Sequence, residues 1–254
     1  IDDSFAPAGE KLLEPVAELL GELICDPATR HGRFVPAYFE SEKTNLIDAI
    51  RSLINDKRDY ADARLLREMC AGEPYGISRL GDERGAEKLH PQKLYAHYGE
   101  MIAASQLELI YSGSASRERV EQALQAAFST LPREEIREIF LAKDHPRREQ
   151  VHLVEETMDV TQGKLGMGFT CGSGDTAALL MGNTLFGGSS NSKLFLNVRE
   201  KLSLCYYASS MYHRQKGIIT VSSGIEFQNY QRAYDEILSQ LAAVQNGELE
   251  EWEL

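Results

Sequence analysis

Two periodicities of apolar residues alternate along this chain, and together they restrict it to folds that mix helices with strands. Near the start, apolar side chains recur at steps of three and four residues, which predicts an amphipathic helix over residues 8–25. Residues 205–212 and 218–222 instead alternate apolar with polar side chains, which predicts two strands. A helix with one apolar stripe and a sheet with one apolar face bury those surfaces against each other, so we predict an α+β protein.

The other predicted elements follow from the same two patterns and from turn residues. In the first half they are helices over residues 37–57 and 60–69, a glycine-rich loop over 71–82, two short helices flanking His90, a strand over 107–111 and a helix from a Ser116 cap to about 128. In the second half they are strands over 151–158 and 164–171, helices over 177–186 and 193–202, the two strands named above and a helix from residue 228.

The 254 residues exceed the size at which a single core usually stops growing, so two domains are expected. Between residues 131 and 150 the pattern breaks into prolines and a basic cluster, which is typical of an exposed linker. We predict a first domain over residues 1–143, a linker over 144–150 and a second domain over 151–254.

An internal repeat is also visible. Ile225-Glu226-Phe227 and the helix after it resemble Ile1-Asp2-Asp3 and the first helix, which predicts tandem duplicated α+β units. The chain begins without methionine and stops inside a helix-like acidic run, so we expect both copies to be incomplete and the chain to be part of a longer protein.

Charge and composition restrict the partners. The formal charge of -12 disfavours nucleic acid, whose binding requires Lys and Arg, and a basic or neutral peptide is better matched. No run approaches the ~18 apolar residues of a membrane span. Four widely spaced cysteines without a CxxC pair favour free thiols in a reducing cytoplasm.

The histidines do not predict a metal site. None of the six has another histidine three or four residues away, as two zinc ligands on one helical face require. Serine-hydrolase, phosphate-loop and dinucleotide motifs are also missing from the sequence. A zinc centre within this chain is therefore not expected.

Two features could bind a substrate. Arg199 and Tyr206 lie seven residues apart where a helix passes into a strand, so a tight turn could bring two donors for a peptide carbonyl to one surface. Gly187 and Gly188 begin a glycine-serine loop that could approach an extended backbone closely. The alternatives are a solvated surface arginine and a loop that only caps two helices.

Residues 186–210 resemble the second-domain signature of the insulinase superfamily, which has a glycine turn, a helix ending in Arg-Glu-Lys and a tyrosine seven residues after the arginine. Within it the chain is most similar to bacterial non-catalytic members that accompany an active zinc-bearing paralogue. Weaker similarity in the first half is carried by Glu42-Lys43, Tyr75-Gly76, Leu80-Gly81 and Tyr111-Ser112-Gly113.

The resemblance implies repeated α/β-roll domains of the insulinase-like (LuxS and mitochondrial-processing-peptidase-like) metallohydrolase fold. It also implies that Arg199, Tyr206 and the Gly187-Gly188 loop hold a peptide substrate. Active members of the superfamily bind zinc through His-x-x-Glu-His and a later glutamate. Glu42 matches the position seven residues before that glutamate and Ala49 matches the ligand itself, so a methyl group replaces a carboxylate.

The leading interpretation is therefore a non-catalytic peptidase homologue without zinc, which encloses a peptide or protein substrate together with an active paralogue or a second copy of itself. One alternative is an active zinc endopeptidase whose His-x-x-Glu-His motif precedes Ile1. The other is a purely structural assembly subunit in which Arg199 and Tyr206 are vestigial.

Overall fold

The computed structural model describes residues 6–7, 9–137, 150–171 and 174–250. Within these ranges the helices are α1 (Leu13–Cys25), α2 (Pro36–Ser52), α3 (Lys57–Met69), α4 (Glu83–Glu87), α5 (Pro91–Ala104), α6 (Arg117–Ala127), α7 (Thr176–Asn183) and α8 (Tyr230–Gln245). The strands are β1 (Gly163–Thr170), β2 (Cys205–His213) and β3 (Ile218–Ile225). Two π-helices, Thr184–Gly188 and Leu194–Lys201, follow α7, and the predicted α+β class is confirmed.

Helix boundaries differ from the predicted ones where a local residue intervenes. The first helix begins at Leu13, after Gly9, whose φ of 88° is incompatible with a helix. The second ends at Ser52, since Asp56 adopts an extended conformation and accepts hydrogen bonds from the amides of Arg58 and Asp59 to start α3.

The chain divides into two compact units. One comprises the described residues of Ile1–Asp48 and Asp82–Phe140, and the other those of Ala49–Gly81 and Leu141–Leu254. Residues 49–81, which the predicted first domain includes, thus pack with the second half of the chain. The predicted linker, apart from residue 150, and residues 1–3 of the predicted repeat lie outside the described residues, so both stay predictions.

In the first unit, α1 packs along α6. Leu13 and Ala17 are buried there, and Gly21 admits the backbone of α6, because a Cβ at Gly21 would lie 2.3 Å from the carbonyl oxygen of Ala127. Arg119 donates to both carboxylate oxygens of Glu14, at 2.6 and 2.5 Å. This pairing lowers the pKa of Glu14 to about 2.

Two predicted strands are wrong. Residues 107–111 and 151–158 form no ladder, and both carry exposed apolar side chains, such as Ile110 at 91% and Val151 at 80% exposure. A β-prone segment becomes a strand only where another strand supplies hydrogen-bond partners, and no described strand lies beside either segment. Glu156 instead accepts hydrogen bonds from Tyr60 and Arg64 on α3, at 2.9 and 2.6 Å.

The second unit is built on an antiparallel sheet of order β1-β3-β2. One face of the sheet packs against α8 and both π-helices and forms the core. The buried side chains of this core include Leu165, Met167, Phe186, Leu194, Val198, Ala208, Val221, Ala233 and Ile237.

The other face of the sheet receives α3. Two glycines of β1 leave room for this helix, because a Cβ at Gly168 would lie 2.5 Å from Sδ of Met69 and one at Gly166 would lie 3.4 Å from Leu65. The close approach of α3 to the sheet explains why residues 49–81 join the second unit.

A histidine at the end of β2 ties this sheet to the loop after α3. The Nδ1 atom of His213 lies 3.0 Å from the hydroxyl of Tyr75, and its Nε2 atom lies 2.9 Å from the hydroxyl of Thr220. A neutral imidazole satisfies both contacts, with one nitrogen donating and the other accepting. Burial lowers the pKa of His213, and the charge of Asp62 opposes this effect.

We expect the free energy of unfolding to decrease as the pH falls below the ordinary histidine pKa of 6.5. The folded state binds a proton at His213 less readily than the unfolded state does, so protons favour unfolding in this range. Urea denaturation at pH 7.5 and 5.5 should show a weaker pH dependence for His213→Gln than for the wild type. His97→Gln, at an exposed position, should retain the wild-type dependence; equal slopes for all three proteins would contradict the prediction.

Candidate functional site

An open groove of about 410 Å³ lies beside β2 in the second unit. Its walls include the predicted residues Gly187, Gly188 and Arg199, which the structure therefore brings together. Arg58 of α3 completes the wall, and both π-helices border the groove. Tyr207, Ala208 and Ser209 also line it, and because consecutive strand residues point to opposite faces, the groove follows the edge of β2.

Arg199 is held in place from two sides. Its Nε donates to the backbone carbonyl of Tyr206 at 2.9 Å, and Nη1 donates to the neighbouring Glu200 at 2.6 Å. Its guanidinium carbon lies 4.7 Å from the ring centre of Phe195. A guanidinium has five N–H donors, and its hydrogen bonds to described residues use two of them, so Arg199 can still donate into the groove.

Tyr206 contributes differently from the prediction. It sits at a bulge in the β2–β3 pairing, its side chain is 58% exposed, and its hydroxyl donates to Glu226 at 3.3 Å. The phenol is not among the residues that line the groove. The structure therefore joins Arg199 and Tyr206 through a backbone carbonyl, and their use in substrate binding stays a prediction.

Gly187 allows a close approach of backbone, but the backbone concerned is that of β2. A Cβ at Gly187 would lie 2.7 Å from the amide nitrogen of Ser210 and 2.7 Å from Cδ1 of Leu194. A Cβ at Gly188 would lie 2.8 Å from Nδ2 of Asn183. Both glycines therefore allow the loop to pack closely against neighbouring parts of the same unit, and they form part of the groove wall.

Gly187→Ala should lower the free energy of unfolding by about 1–3 kcal/mol, because the methyl group overlaps backbone that cannot move independently. Gly182→Ala is the matched control, since nothing lies within 4 Å of a Cβ at that helical position. Alanine there should be neutral or stabilise the protein by up to about 1 kcal/mol. Thermal or urea unfolding measures both variants, and equal stabilities would contradict the close contact at Gly187.

Sequence reasoning did not find Arg58 as a groove residue. Its Nη2 donates to Ser209 at 3.2 Å, and its guanidinium carbon lies 4.4 Å from the ring centre of Tyr207. No sequence signal links Arg58 to residues so far along the chain, because the contact arises only when α3 packs on the sheet.

Tyr207 contributes its ring to the groove and buries its hydroxyl. That hydroxyl makes no hydrogen bond of normal geometry among the described residues. Burial raises the pKa of Tyr207, and the nearby hydroxyl of Ser222 opposes the rise. The phenol is therefore uncharged near neutral pH and acts as an aromatic platform for Arg58.

The positions compared with a metal site lie on α2. Glu42 is exposed and Ala49 is partly buried on this helix. Within the described ranges, no group of three or more His, Cys, Asp or Glu side chains could hold a metal ion. No described helix is long and apolar enough to cross a membrane.

Comparison with known proteins identifies the family. A family model described as the peptidase M16 inactive domain matches residues 88–254. This chain belongs to that family. The predicted membership of the insulinase superfamily is thus confirmed, and the family's description supports the prediction of a non-catalytic homologue.

Three relatives of this M16 inactive domain illustrate the similarity. The "Probable inactive metalloprotease YmfF" of Bacillus subtilis (strain 168) is 36% identical over 249 residues, which are 96% of this chain and 58% of the relative. A conserved protein from Enterococcus faecalis V583 has a TM-score of 0.86 and 28% identity, over 100% of this chain and 60% of its own. A peptidase M16 inactive domain from Pseudomonas fluorescens has a TM-score of 0.80 and 18% identity, over 94% and 58%.

Proposed function

We propose that this M16 inactive domain holds peptide for an active zinc-bearing paralogue in the bacterial cytoplasm. M16 peptidases in general act on peptides and proteins. The observation that carries the proposal is the placement of Arg199 beside an open groove. The Tyr206 carbonyl and the Phe195 ring hold its side chain, and three of its N–H donors have no acceptor among the described residues. The chain spans about 60% of the length of the three relatives named above, so the activity of the whole protein is part of the proposal.

The edge of β2 supports the holding of an extended peptide. Among the described strands β2 has a neighbour on one side only, β3, so its outer edge can accept another strand. A peptide that lies along β2 would form backbone hydrogen bonds with the strand. Arg199 would then donate to a carbonyl of that peptide, which is the role that the family resemblance assigns to it.

The proposal requires that the full-length protein does not bind catalytic zinc and does not cleave peptides by itself. Zinc analysis after dialysis should find no stoichiometric zinc, and a fluorogenic peptide should be cleaved only when the paralogue is present. Stoichiometric zinc with turnover by the protein alone would establish the active-peptidase alternative. Sedimentation of this protein mixed with the paralogue should show a heterodimer. A stable homodimer that does not bind the paralogue would contradict the proposed partner.

Arg199→Ala should reduce the turnover of the mixed proteins if its donor acts in the transition state, by the equivalent of about 2–4 kcal/mol. Arg232→Ala is the matched control, because Arg232 is an exposed arginine on α8 in the same unit. Unchanged turnover for Arg199→Ala, with the complex intact, would support a purely structural subunit.

A further inference from the structure

The groove has the opposite charge to the protein as a whole. The chain carries a formal charge of -12, yet the charged side chains that line the groove are Arg58 and Arg199. No Asp or Glu belongs to the groove lining in the described part of the chain. The side chains that line the groove therefore carry a net positive charge.

Both guanidinium groups are held ready for a ligand. Each lies over an aromatic ring, Arg58 over Tyr207 at 4.4 Å and Arg199 over Phe195 at 4.7 Å. Arg58 donates one N–H to Ser209, and Arg199 donates one each to Tyr206 and Glu200. Planar guanidiniums bind carboxylates through paired, charge-assisted hydrogen bonds, and restraint by the rings and by the existing hydrogen bonds lowers the entropy lost on binding.

Three carboxylates of the protein lie near these arginines without lining the groove. Asp56 caps α3 through the amides of Arg58 and Asp59. Burial raises the pKa of Asp62, with the Ser222 hydroxyl and the charge of Arg58 opposing that rise. Glu200 pairs with Arg199, but its side chain is 53% exposed, and exposed pairs between neighbouring residues are weak and easily displaced.

We propose that this groove selects peptides that present a carboxylate, which Arg58 and Arg199 bind together. The proposal rests on the proposed peptide-holding function and adds the class of peptide. It also reverses the preference for basic or neutral peptides that net charge predicts, because binding depends on the charges that line the groove. The carboxylate is either the C-terminus of the peptide or an Asp or Glu side chain.

Fluorescence anisotropy on the full 254-residue chain distinguishes these sources. The probes are a fluorescein-labelled peptide of about eight Val, Thr and Ser residues with a free C-terminus, its C-terminal amide, and amides with one internal Glu or Gln. We expect the free acid to bind at least about tenfold more tightly than its amide if the C-terminus is recognised. If a side chain is recognised, the amidated peptide with an internal Glu should bind more tightly than the one with Gln, by a similar factor.

Arg58→Gln should abolish this discrimination and lower the affinity for the carboxylate-bearing peptide about tenfold. Arg67→Gln, which removes the same charge from an exposed position of α3, should bind like the wild type. Thermal unfolding of both variants checks that they are folded, and Arg199→Gln provides a second variant with the same expected loss.

The two proposals fail differently. Equal affinity for acid, amide, Glu and Gln peptides, unchanged by Arg58→Gln, would overturn carboxylate selection and leave peptide holding intact. Tight binding of a Lys-containing peptide in preference to all of them would do the same. Failure of every peptide to bind would overturn both.

Discussion

Replacing Lys216 by alanine should lower the free energy of unfolding by about 3–5 kcal/mol. The Lys216 side chain is completely buried, and its ammonium group pairs with the carboxylate of Glu73, which is 22% exposed. Removal of the ammonium deprives a largely buried carboxylate of this partner, so the cost of desolvating that charge is less well offset. The pair connects the loop after α3 to the turn between β2 and β3, so its loss loosens the attachment of residues 49–81 to the sheet.

Urea denaturation measures this effect, and a double-variant cycle isolates the pair. Lys201→Ala removes an exposed lysine from the same unit and should change stability by less than about 0.5 kcal/mol. Lys216→Met with Glu73→Gln removes both charges and should recover much of the loss, because no charge remains buried. A double variant as unstable as Lys216→Ala would show that the cost comes from lost packing.

Phe186→Ala should also lower the free energy of unfolding, by about 3–5 kcal/mol. Phe186 is 1% exposed and belongs to the core formed by the sheet, α8 and the π-helices. Its removal leaves a cavity that the rigid sheet cannot fill by relaxation. Since Phe186 immediately precedes Gly187, the same substitution should weaken peptide binding, because the glycine loop loses its anchor at the groove.

Phe227→Ala is the matched control, because Phe227 lies in the same unit and is 61% exposed. Its substitution should change stability by less than about 1 kcal/mol. Comparable losses in the two phenylalanine variants would contradict the position of the core.

Each helix that the sequence predicts has a counterpart in the structure, with ends displaced by up to five residues and with Leu194–Lys201 as a π-helix. Two of the five predicted strands do not form. Ser116 caps α6 as predicted, and its hydroxyl accepts a hydrogen bond from the amide of Arg119 at 3.4 Å. β2 and β3 lie where alternation places them, because a short turn joins them and each supplies the other with hydrogen bonds. Residues 107–111 and 151–158 have the same β-prone composition, but a strand also needs a neighbour, which composition does not encode.

Some residues of the candidate site could likewise be predicted from the sequence, and one could not. Gly187, Gly188 and Arg199 could be predicted because they lie within one short stretch whose spacing resembles that of a known family. Arg58 could not, since it reaches Tyr207 and Ser209 only through the packing of α3 on glycines of β1.

The sequence by itself determined the family, the α+β class and the stretch that supplies Arg199, because these depend on local periodicity and spacing. Only the tertiary structure decided that Tyr206 meets Arg199 through its carbonyl, that Gly187 faces β2, and that a second arginine lines the groove. The physical reason is that contacts between distant residues depend on which surfaces pack together, and each such packing is a sum of many small terms that no single motif records.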